Sequence, residues 1–208
     1  MRKLYAGWLC LDFANTVEPR ENTPQHDYLR DYAEVVRWGR HAEVLDEATA
    51  ERLLREAAGR PEEAGASHAA AIELREATYR TFKAIALGNE PAAGDLERLQ
   101  QAYAEAMRHA RLVPGETDRF NWRWDDGDLN RAWWAMARSA VWLIISGPLA
   151  RVKQCAGAGG CGFLLYDATK NRARRWCSMD ECGGQTKATK QTARRRAARA
   201  GGKTGEHD

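Results

Sequence analysis

CAGAGGCGFLLYDATKNRARRWCSMDEC, residues 155–182, is the stretch whose reading decides the fold. Four of the chain's five cysteines lie in it, as two close pairs, Cys155 with Cys161 and Cys177 with Cys182. Zinc takes four soft donors at tetrahedral corners, and two short-spaced pairs can each close a turn around one side of the ion. The spacing favours zinc over three alternatives. A disulfide framework needs an oxidising compartment, and a redox pair normally has two intervening residues and a single dithiol. An iron–sulfur cluster also accepts four thiolates, but the flanking sequence fits a zinc fold better.

Energetics agree with a metal. From Arg151 onward the large apolar residues are few, chiefly Val152, Phe163, Leu164, Leu165, Tyr166 and Trp176. So short a segment with that supply buries too little surface to offset its chain entropy, so the ion must contribute folding free energy, on the order of 10 kcal/mol. Glycines at 157, 159, 160 and 162 suit a metal-binding knuckle. Phe163–Asp167 and Arg172–Trp176 read as the two strands of a hairpin, and a helix is expected from Ser178, with Cys182 near its start. Orphan N–H groups and the helix dipole there stabilise thiolates. With all four sites taken by sulfur, the zinc is expected to be structural.

Charge divides the chain at the same place. Residues 151–208 hold 13 Lys/Arg against 5 Asp/Glu, a net of +8, and the remaining residues carry −5. A basic module calls for a polyanion. The candidate contacts are Lys170, Arg172, Arg174 and Arg175 on the hairpin, and Gln185, Lys187, Lys190, Arg194, Arg195, Arg196 and Arg199 beyond it. Residues 192–208 have no large apolar side chain and are expected to fray alone and fold on DNA. RNA, through stacking on Phe163, Tyr166 or Trp176, and protein docking are the competing readings.

Upstream, periodicity predicts a mostly helical body. WLCLDFANTV, residues 8–17, alternates and reads as a strand. Helices are expected over about 27–40, from Asp46 to Gly59, over 66–88, from Gly94 to about Ala110, and from Asp128 to Ser146. The last is apolar nearly all round and belongs at the centre. Between the final two, Leu112-Val113 and residues 119–124 predict a β-hairpin with Phe120, Trp122 and Trp124 on one face. The expected fold is mostly α with some β, a helical domain over residues 1–150 and a treble-clef-like zinc finger over 151–208.

The run from Cys155 through Cys161-Gly162-Phe163 to Arg174-Arg175-Trp176-Cys177-Ser178-Met179 and Cys182-Gly183 resembles the CGNR-type zinc finger of bacterial proteins. Leu11-Asp12-Phe13-Ala14-Asn15-Thr16-Val17 resembles the opening of the ABATE domain that accompanies it. The resemblance implies a stress-related transcriptional regulator with zinc on Cys155, Cys161, Cys177 and Cys182. The namesake Cys-Gly-Asn-Arg run here reads Cys182-Gly183-Gly184-Gln185, so an amide and a guanidinium are missing.

A regulator needs a sensor, and Asp12, Asn15, Thr16 and Trp38 are the candidate lining of a pocket for a small effector. Catalysis finds no support, since His26, His41, His68, His109 and His207 are scattered outside any recognisable motif and Cys10 reads as packing. No export signal and no apolar run long enough to span a bilayer is visible, so a cytoplasmic protein is expected. A homodimer is compatible with the helix faces, but no heptad seam announces one.

Overall fold

The computed structural model describes residues 3–115, 119–124, 127–157 and 160–201; the side chains of Lys190 and of residues 196–201 lie outside it. Among the described residues the architecture is mostly helical, with three small antiparallel pairs of strands.

The first correction falls on residues 8–17. Leu9–Ala14 is a helix, α1, and the strand β1 is only Val17–Glu18, paired with β2, His26–Asp27. Cys10, Leu11, Phe13 and Ala14 are all buried, which is helical spacing. The expected alternation was never clean, because Cys10 and Ala14 are as apolar as the Leu and Phe between them. The one charged residue, Asp12, accepts from the Tyr5 and Ala6 amides, both at 2.8 Å.

Helix α2 covers Tyr32–His41, starting five residues later than periodicity suggested. Asp31 accepts from the Glu34 amide, a cap that fixes the start, while Asp27 is held by Arg75 and the Leu29 amide in a non-helical stretch. Helix α3 is Glu47–Gly59, capped by Asp46 as the sequence indicates. Helix α4 runs Pro61–Ala86, one and a half turns earlier than its apolar stripe, since Pro61 fixes φ at the first position and Glu62 and Glu63 suit the first turn. Helix α5 is Ala93–Arg108 and α6 is Arg131–Ser146. Between them stand β3, Ala110–Pro114, and β4, Phe120–Trp124, with Leu112 opposite Trp122. The predicted turn residues 116–118 lie outside the described residues.

One core gathers Phe13, Leu74, Phe82, Leu99 and Trp134, all buried. Helix α6 is buried nearly all round only over Ala132 to Ala137; further along, Ala140 and Leu143 keep one face in the core while Trp142 and Ile145 are exposed. Three contacts set the helix directions. Trp133 Nε1 donates to Ser67 Oγ, His109 stacks on Trp134, and Arg80 pairs with Asp95. Thus α4 and α6 run in parallel with α5 against them.

The second correction concerns the C-terminal hairpin. After a 3-10 turn at Leu149–Arg151, β5 is Val152–Gln154 and pairs with β6, Leu164–Tyr166. Residues 172–176 form no strand. The Arg174 amide is taken by the Asp167 carboxylate and Arg172 has φ of 51°, so no ladder can run there; one bond, Ala156 N–H to Arg175 O, survives. A π-helical turn, Met179–Gly183, then leads into α7, Gly184–Gly201.

Candidate metal centre and nucleic-acid surface

The β5–β6 hairpin carries the first cysteine pair at its tip. Cys155 follows β5 directly, its amide donating to Phe163 O at 2.7 Å. Gly160 and Gly162 take the left-handed conformation, with φ of 76° and 64°, at which other residues are strained. At Gly157 the constraint is space, since a Cβ there would stand 2.8 Å from Cys182 Sγ. Of the knuckle glycines expected from the sequence, Gly159 lies outside the described residues. Cys177 ends the irregular stretch, and Cys182 sits inside the π turn.

These elements bring all four Sγ atoms within 4.8 Å of one another. Cys161 and Cys177 are 3.7 Å apart and Cys177 and Cys182 3.5 Å, and no disulfide is formed. Four thiolates at about 2.3 Å from one zinc stand about 3.8 Å apart, so the donor set fits the ion. Hydrogen bonding with the Cys155 and Cys161 sulfurs, together with burial, pushes the Cys177 thiol up. Four thiolates share this space only around a cation. All four donors are protein sulfurs, which leaves no position for a reactive water and makes the zinc structural.

A further layer orders the ligands. The Cys177 amide donates to Cys155 Sγ at 3.2 Å. Phe163 and Leu165 are buried beside the cysteines, and Trp176 is half-buried with the Arg175 guanidinium 5.4 Å from its ring centre. Lys153 Nζ donates to the buried Asp167 carboxylate at 2.6 Å, which also accepts from Thr169 and the Arg174 amide. Although burial opposes ionisation, the Lys153 and Thr169 hydrogen bonds hold that carboxyl well below the usual range.

The basic residues expected to meet nucleic acid divide into two groups. Lys170, Arg172, Arg175, Gln185, Lys187, Arg194 and Arg195 are exposed. Arg174 is turned inward: its guanidinium donates to the carbonyls of Tyr5, Tyr166, Trp176 and Cys177. Four of its five N–H groups are thereby used, so it braces the module instead of facing a ligand. The side chains of Lys190, Arg196 and Arg199 lie outside the described residues. Helix α7 continues through Gly201, where fraying was expected from residue 192; residues 202–208 lie outside the described residues. Back-bonds from Thr186 Oγ1 to Cys182 O and from Thr189 Oγ1 to Gln185 O run along its first turns.

The residues proposed as an effector pocket do come together. Asp12, Asn15, Thr16 and Trp38 line a cavity of about 20 Å³ with Tyr28 and Phe163, room for one water. The Asn15 and Thr16 side chains are already engaged. Asn15 exchanges two 2.8 Å hydrogen bonds with the Leu164 peptide of β6, and Thr16 Oγ1 donates to Phe13 O. Burial raises the Asp12 carboxyl, against the pull of the Ala6 and Tyr5 amides. A roomier cleft, about 840 Å³, lies between α4, α5 and the start of α6, lined by Arg98, Glu105 and His109 among others; nothing in the sequence pointed to it.

Sequence reasoning also missed the clasp around the knuckle. Arg20 N–H donates to Cys161 O and Glu21 N–H to Gly160 O, while Tyr79 Oη donates to Gly162 O. Buried Arg75 forks onto Asp27 and pairs with Glu76, and Glu76 in turn pairs with Arg20. No local pattern marks partners so far apart in sequence.

Comparison with known families places two matches on this frame. The ABATE model, described as "Putative stress-induced transcription regulator", matches residues 7–147, and the CGNR zinc finger model matches residues 151–195. Neither family is of an enzymatic type. No curated protein matches the chain. Among the described residues no helix is long and apolar enough to cross a membrane.

Proposed function

The chain belongs to the ABATE family and carries a CGNR zinc finger behind that domain, and from this premise we propose that it is a zinc-dependent DNA-binding regulator. Residues 151–208 are the DNA-facing module, and residues 1–150 the body that carries it. One observation supports this above the others: α7 leaves the metal centre directly from Cys182, and every described cationic side chain on it is exposed.

A helix of 18 residues is about 27 Å long, enough to lie along a groove. Its sequence contains Lys187, Lys190, Arg194, Arg195, Arg196 and Arg199 and no acidic residue, so in water these charges repel. Phosphates cancel that repulsion and release counterions. Lys170, Arg172 and Arg175 extend the basic surface past the metal centre. Gln185, in the first turn, suits a base edge such as adenine. The four sulfurs hold the π turn and thereby fix where α7 starts.

The test is a mobility shift with random duplex and single-stranded probes at two salt concentrations. Duplex binding that weakens steeply with salt, and whose salt slope falls by about one for each of Lys187→Ala and Arg194→Ala, is expected. Preference for the single strand turns the reading to RNA, and no binding to either turns it to protein docking.

A further inference from the structure

We propose that two copies of this chain form a two-fold dimer in which the β3–β4 arm of each copy lies across the apolar end of the partner's α4–α5–α6 bundle. The inference does not depend on DNA binding.

The arm is a two-stranded ribbon, and such a ribbon is marginal in water unless something covers a face. Its base is pinned, because Trp124 is buried and its Nε1 donates to Ala106 O. Beyond that base, Leu112, Phe120 and Trp122 share the face of Trp124 by register and are exposed, Phe120 by 68%. The second surface lies where α4 and α6 end and α5 begins. There Leu87, Leu96, Trp142 and Ile145 are exposed, Trp142 by 57% and Ile145 by 75%.

These surfaces sit at opposite ends of the bundle. The arm springs from the end of α5 beside the start of α6, whereas Ile145 closes the 16-residue α6, about 24 Å away. The arm's five paired positions span about 17 Å, and within one chain both surfaces stay exposed. A second copy placed antiparallel covers both pairs of surfaces at once, which is the self-complementarity a two-fold axis requires.

The exposed area fits the same occupant. The seven side chains leave uncovered the equivalent of about four large residues, on the order of 800 Å² per copy at about 200 Å² each. Two copies then bury about 1,600 Å², the size of a standard specific interface. Arg119 and Arg123 are exposed and alternate with Phe120, Trp122 and Trp124, so they belong to the outer face of the arm and leave its apolar face free for the partner.

Sedimentation of the full, zinc-loaded chain over a dilution series tests the proposal. Wild type is expected at twice the chain mass. Phe120→Asp and Ile145→Asp should each weaken association at least tenfold while leaving circular dichroism and zinc content unchanged. Mixing a Phe120→Cys chain with an Ile145→Cys chain under mild oxidation should give a cross-link between copies, which keeps the test decisive even if an aspartate variant misfolds. A monomeric wild type, a dimer indifferent to both aspartates, or no cross-link in the mixture overturns the proposal, as does capture of another protein by a chain that does not self-associate.

Discussion

Asn15→Ala is expected to loosen the zinc module from the helical body, with a magnitude that follows from two hydrogen bonds. The Asn15 amide donates to Leu164 O and accepts from Leu164 N–H, each at 2.8 Å and buried. Alanine leaves both buried backbone groups without their protein partner. Each such group costs about 1–3 kcal/mol, so the substitution should cost about 3 kcal/mol, and more if the strand does not shift. For a domain of this size that is a fall in Tm of about 6–12 °C.

Urea and thermal denaturation of zinc-loaded protein would measure it, with retained zinc as a second readout, since none of the four sulfurs touches Asn15. Asn15→Asp is the sharper control. An ionised carboxylate still accepts from the Leu164 amide but faces the Leu164 carbonyl, so burial and repulsion raise its folded pKa above the unfolded value of about 3.9. Its penalty should be full at neutral pH and shrink as pH falls through the raised folded value, where the protonated acid can donate. A loss below about 0.5 kcal/mol for Asn15→Ala, within the range of an ordinary surface change, would refute the role assigned to this pair.

The remaining expectations concern the metal centre, its brace and the fifth cysteine. Purified protein should contain one zinc per chain by elemental analysis, and Cys177→Ser or Cys182→Ser should lose it together with the helical circular dichroism of α7; full helix content without metal would contradict the account. Arg174→Ala should destabilise the fold by about 2–4 kcal/mol, since four buried or part-buried carbonyls lose a charged donor, yet leave the salt slope of DNA binding unchanged; a slope reduced as by Lys187→Ala would return Arg174 to the contact set. The Cys10 thiol is pushed up to about 12 by burial, against the pull of Ser139, so in native protein at pH 8 it should resist thiol reagents and react only on unfolding; prompt labelling would show that the core opens there.

The metal ligands and most helices were legible in the sequence because their causes are local. Two cysteine pairs in 28 residues state a donor set by count, Asp46 caps the helix after it, and the stripe of Leu96, Leu99 and Tyr103 repeats at the helical period. Errors arose where local pattern underdetermines structure. Apart from Asp12, residues 9–14 are apolar on both alternations, so period two and period 3.6 could not be told apart, and the choice fell to packing against α4 and α6. The strand that completes the zinc hairpin precedes the first cysteine; the candidate pairing at 172–176 lost because Asp167 takes the Arg174 amide.

Sequence alone thus determined the donor set of the metal centre, the division of charge along the chain and the family, since each depends on residue identity and short spacing. The tertiary structure alone decided what the remaining polar residues do. Asn15 meets Leu164 across 149 positions and Arg174 meets Tyr5 across 169, so neither pairing leaves a periodic trace. Such contacts form only once burial has removed water and each stranded polar group must find a partner wherever the chain has brought one. For that reason Asn15 and Arg174, read in sequence as candidate contacts for an effector and for DNA, became the fastenings that hold the metal module to its body.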